Sequence, residues 1–194
     1  LDDWKVRWRA AHPMTVKTWR ELENAALSAV RNAGEVYTAG YPGRQVKFKT
    51  AGSFLWCLLP SGRALCYPYP KILEGDYGPQ LTYMKVPSAA GADKIVHDPK
   101  NSSNWARVKT YGGSLMENVI QALCRDLLVD RMLYLESAGA SITLHVHDEV
   151  VLEVSADKAV SARAEMERAM RQVPAWAEGF PLFAKCDVME RYGQ

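Results

Sequence analysis

The sequence predicts an α+β fold, antiparallel strands packed on long helices, on three observations. Apolar residues recur at helical spacing up to residue 31 and again after residue 114; two β-rich runs bracket Pro60-Ser61-Gly62-Arg63; and residues 142–154 alternate in polarity around an Asp-Glu pair. With 194 residues, 48% of them hydrophobic, the chain has the means to bury a core of one domain or two small ones. Its 24 basic and 22 acidic residues leave a formal charge of +2, so any polyanion must be met by local patches.

Residues 1–31 read as helix, broken at His12-Pro13, where the proline ring disfavours helix at the preceding residue. Beyond it Val16, Trp19, Leu22, Leu27 and Val30 form an apolar stripe, and Gly34 lies just past the expected end. Between Gly34 and Thr50 comes a loop carrying Arg44, Lys47 and Lys49, with a short strand expected at Val46 to Phe48. Phe54 to Tyr67 is expected to be a hairpin, turned by the fixed φ of Pro60 and the conformational freedom of Gly62. From Pro68 to Ser103 the composition shifts to Pro, Gly, Asp and Lys, a surface excursion in which Leu81 to Val86 is the good strand candidate.

Ser114-Leu115-Met116-Glu117 fits a capping box that opens a helix from Leu115 to Ala138. Ile142 to Val154 then reads as strand, tight turn and strand, with Ile142, Leu144 and Val146 on one face and Thr143, His145 and His147 on the other. A helix from Asp157 to Gln172, stopped by Pro174, and a closing strand from Phe180 to Val188 complete the expected order.

Four cysteines, at 57, 66, 124 and 186, form no C-x-x-C pair and follow no secretory signal, so reduced thiols in a cytoplasmic protein are expected. Cys57 and Cys66 flank the first hairpin turn and are expected to be two buried thiols in strands. No apolar run approaches the roughly 20 residues of a membrane span. The chain starts at Leu1 and reads as helix from Asp2 onward, the pattern of an excerpt from a longer protein.

The chemistry lies at His147-Asp148-Glu149. Adjacent carboxylates at a hairpin tip are unusual, because Asn-Gly or Asp-Gly turns the chain at lower backbone cost. Side-by-side carboxylates repel one another unless a cation offsets them, and Mg²⁺, which takes one or two carboxylates with waters and phosphates completing its octahedron, suits an exposed Asp. Two further readings stay open. His145 and His147 share a strand face and with Asp148 offer a zinc-hydrolase ligand set, for which the remaining histidines are His12 and His97; or the chain is a non-catalytic DNA-binding remnant.

Leu144-His145-Val146-His147-Asp148-Glu149-Val150-Val151-Leu152-Glu153-Val154 resembles the motif C hairpin of family A (Pol I-like) DNA polymerases, phage-like ones above all. Tyr111 to Ala122 with Arg125-Asp126-Leu127-Leu128 resembles the palm helix before that hairpin, and Leu58 to Arg63 and Pro174 to Leu182 resemble other segments of phage polymerases. The resemblance implies the end of the fingers in residues 1–52 and the motif C side of the palm in residues 53–194. It implies Mg²⁺ as cofactor in a two-metal site, with Asp148 as direct ligand and catalytic residue and Glu149 beside it in a lesser role. His147 is implied at the primer terminus, and Gln121 in the DNA minor groove, where an amide donates to acceptors shared by every base pair. Asn118, and Arg125 one turn beyond Gln121, are further DNA-contacting candidates. Glu117 and Gly113 stand where the family often has Asn and Arg. The implied partners are primer-template DNA, dNTP and the remainder of a polymerase, as one longer chain or a partner subunit, in a bacterial or phage-infected cell and with no membrane. The second metal-binding aspartate and the nucleotide-binding helix of the family are not found in the sequence, so this chain alone is expected not to polymerise.

Overall fold

A computed structural model describes residues 2–75, 78–86 and 105–193. Helices and antiparallel strands are both present, as an α+β chain requires. The chain forms two compact units, residues 1–120 and 121–194. Residue 52, after which a boundary is expected from the sequence, lies in the turn between two paired strands.

The first unit opens with helices α1 (Asp2–Ala11) and α2 (Pro13–Arg31). Pro13 stands at the first position of α2, where its missing N–H costs nothing, so the break expected at His12-Pro13 separates two helices. His12 continues the last turn of α1: its backbone N–H donates to Trp8 O, and its Nδ1 lies 2.8 Å from the same oxygen. The buried side of α2 holds Leu22 and Leu27 with three alanines, Ala25, Ala26 and Ala29. It packs on β1 (Val36–Ala39) and β2 (Val46–Ala51).

Those strands continue into β3 (Phe54–Leu58) and β4 (Ala64–Pro68) as one antiparallel sheet in chain order. Strand β2 alternates strictly: Val46, Phe48 and Thr50 are buried, Lys47 and Lys49 exposed. The hairpin expected from Phe54 to Tyr67 is present, closed by Leu59 N donating to Arg63 O at 2.8 Å. Cys57 pairs with Leu65 and Trp56 with Cys66, which sends the two sulfurs to opposite faces. Cys57 is buried, its thiol pushed up to about 12 by desolvation; Cys66 is exposed, against expectation.

A second sheet, β5 (Lys71–Gly75), β6 (Gly78–Lys85) and β7 (Ala106–Lys109), occupies much of what the sequence suggested to be irregular. The stretch 87–104, with His97, lies outside the described residues. Helix α3 (Gly112–Ser137) begins in this unit and continues into the next. It starts before the expected capping box, so Ser114 sits inside the first turn, and Leu115 N donates to Tyr111 O. Gly112 permits this start: a Cβ there would lie 2.1 Å from the backbone oxygen of Trp19 on α2.

In the second unit α3 ends at Ser137, and Gly139 just beyond it has a φ of 87°, which suits a helix C-terminus. Strands β8 (Ile142–Val146) and β9 (Glu149–Leu152) form a two-stranded antiparallel ladder. A 3₁₀ turn (Ala156–Lys158) leads into α4 (Ala159–Met170), and a second (Ala175–Ala177) follows Pro174. Leu127, Leu128, Leu135, Ala169 and Ala177 are buried here. The closing strand expected at Phe180 to Val188 is not formed. Phe180 N donates to Ala177 O, Leu182 N to Phe180 O, and Ala184 O accepts from Arg171 Nε, so local partners take up backbone groups that a ladder would need.

Candidate metal and primer site at the β8–β9 hairpin

The β8–β9 hairpin is held by Leu144 opposite Val151, His145 opposite Val150 and Val146 opposite Glu149. His147 and Asp148 are therefore the two central residues of a tight turn. His147 has a φ of 51°, in the left-handed region that tight hairpin turns demand and that glycine ordinarily fills. The register shifts by one residue between Ile142, opposite Leu152, and Leu144, opposite Val151. Because Leu152 and Val151 point to opposite faces, so do Ile142 and Leu144, and the uninterrupted alternation expected from 142 onward is broken by this bulge. Leu144 is accordingly exposed.

His147, Asp148 and Glu149 are all exposed at the tip. Glu149, the first residue of β9, accepts a hydrogen bond from the Tyr192 hydroxyl through Oε2 at 2.9 Å. The carboxylate that receives this proton holds the Tyr192 phenol above its ordinary pKa. Sequence reasoning missed Tyr192: its partner lies 43 residues away, and no local spacing announces such a contact.

Gln121 and Arg125 are exposed and lie four residues apart on α3, so they share a helical face. The Arg125 guanidinium lies 3.4 Å from Nδ1 and 3.5 Å from Nε2 of His145, tying α3 to β8 across the face opposite Leu144. Asn118, in the first unit, is half-buried and donates through Nδ2 to the Tyr67 hydroxyl at 3.2 Å. Tyr67 is buried, which raises its pKa, and Asn118, expected to contact DNA, has this partner within its own unit.

Two adjacent exposed carboxylates supply hard oxygen donors at a position open to water, a donor set that fits Mg²⁺ with solvent and phosphate completing the shell. Zinc fits poorly. Among the described residues no three His, Cys, Asp or Glu side chains come together as a metal-binding group, and a guanidinium against His145 is an unfavourable neighbour for a dication. A cleft of about 430 Å³ lies at the elbow of α1 and α2, beside Arg9, Lys17 and Arg20, and Asp148 and Glu149 do not line it. The tip is a projecting site.

Over 186 residues, 95% of its length, the chain is 35% identical to the DNA polymerase of Bacillus phage SP02. The match covers 26% of that polymerase, so the chain spans about a quarter of the length of this curated relative. No protein-family model matches the chain. No solved structure matches it. Among the described residues no helix is long and apolar enough to cross a membrane.

Proposed function

We propose that this chain is part of a DNA-directed DNA polymerase of the family A type and contributes the motif C half of a two-metal nucleotidyl-transfer site. The observation that carries the reading is the Asp148-Glu149 pair, exposed on a tight hairpin within a chain 35% identical to a phage DNA polymerase. Primer-template DNA and dNTP are the substrates on this reading, and the rest of the polymerase, in the same chain or a partner subunit, is the structural partner.

Asp148 would hold Mg²⁺ through its carboxylate, and Glu149 would supply a second carboxylate whose loss is the milder of the two. A metal pair held there would supply acidity to the primer 3′-hydroxyl and charge compensation for the departing pyrophosphate. His147, pushed outward by its turn, meets the primer terminus. Gln121 donates its amide to minor-groove acceptors, which tests base-pair geometry without reading sequence. Arg125 offers its guanidinium to the DNA backbone from the same helical face.

Primer extension by the complete gene product, wild type against Asp148→Ala, tests this. Loss of synthesis by roughly 10³-fold, equivalent to about 4 kcal/mol of barrier, is expected with DNA binding retained. Undiminished synthesis by Asp148→Ala would leave the chain a DNA-binding module.

A further inference from the structure

We propose that Tyr192 is a positioning residue for the candidate metal site, acting through Glu149. The inference rests on the polymerase reading above and goes beyond it, because nothing in that reading calls for a tyrosine near the chain's last residues.

Glu149 is exposed, and an exposed glutamate side chain samples many rotamers. The Tyr192 hydroxyl donates to Oε2 at 2.9 Å, which restrains the carboxylate and leaves Oε1 for another partner. A donor that fixes one oxygen of a carboxylate orients the other and lowers the entropy lost when a cation or its water is captured. The phenol suits this work, since it donates to the charged acceptor without bringing a competing positive charge to a cation site. Arg191, the neighbouring residue, would bring one. The contact also ties the segment after α4 to the first residue of β9, so the order of that segment and the aim of Glu149 depend on one another.

The test uses the complete polymerase with Tyr192→Phe, Glu149→Gln and the double variant. Mn²⁺ binding is followed by electron paramagnetic resonance, and primer extension is resolved into kcat and KM for primer-template. Tyr192→Phe is expected to weaken Mn²⁺ binding about tenfold, at the low end of the range for groups that orient metal ligands, and to lower kcat while KM stays unchanged. In the Glu149→Gln background the same substitution is expected to add little, because the charged acceptor is gone. Tyr192→Phe with wild-type Mn²⁺ affinity would overturn the proposal, as would equal effects in both backgrounds or a loss confined to thermal stability. Failure of the underlying reading is distinguishable: Asp148→Ala would then keep both synthesis and Mn²⁺ affinity.

Discussion

His147 shows how the backbone and the chemistry of the tip are linked. A left-handed φ of 51° in a residue with a Cβ costs about 1 kcal/mol relative to glycine, less for His than for a β-branched residue. Glycine at this position relieves the contact but loses more entropy on folding, so the two effects nearly offset. His147→Gly is therefore expected to unfold at or slightly above the wild-type temperature, and His147→Val to be less stable than His147→Gly by about 2 kcal/mol. Thermal unfolding of the two variants checks this, and equal stability would contradict the left-handed placement. The same His147→Gly protein should show a raised KM for primer-template if the imidazole meets the primer end. The three letters His-Asp-Glu were legible because they are contiguous and violate the usual turn chemistry. Tyr192 and the Asn118–Tyr67 bond were not, because long-range side-chain partners leave no periodic trace in sequence.

Elements were legible where one period ran long enough. The α2 stripe, the Phe54 to Tyr67 hairpin and α3 all followed from spacing and turn residues. Strands β1, β5 and β7 did not: each has four or five residues, too few to show a period. The Phe180 to Val188 segment has strand-like composition, yet Pro181 removes a donor and local bonds claim its neighbours. The start of α3 was mistaken because a capping-box pattern competed with a packing demand. Gly112 and Gly113 carry the helix back to Tyr111, and at Gly112 the chain passes so close to the Trp19 carbonyl that a side chain has no room. Backbone must move to admit even a methyl group. Gly112→Ala is therefore expected to destabilise the chain by about 1–3 kcal/mol, despite alanine's better helix propensity, whereas Gly113→Ala meets the Tyr111 ring, a side chain able to swing away, and should cost less. Denaturant unfolding of the two variants reads the difference directly. Equal stability of Gly112→Ala and wild type would place α3 farther from α2.

At the scale of the whole molecule, the question is how much of a two-metal site one hairpin can make. A metal pair a few ångströms apart needs carboxylates approaching from more than one direction, and Asp148 and Glu149 are consecutive residues of one turn. Among the described residues no third acidic, histidine or cysteine side chain joins them. Three other acids of the second unit are engaged elsewhere: Asp130 and Glu167 pair with Arg131 and Arg171, and Asp187 with Lys185 at 2.8 Å. On the proposed function, the carboxylate that completes the site comes from polymerase sequence outside these 194 residues. The chain alone should then bind Mg²⁺ only weakly, as two adjacent carboxylates with water do, and should add no nucleotide to a primed template at any Mg²⁺ concentration. Purified chain in a primer-extension assay, beside the complete gene product under the same conditions, checks both statements. Synthesis by the chain alone that disappears in Asp148→Ala would show that it assembles a full metal site from its own residues, and the division of the site proposed above would have to be abandoned.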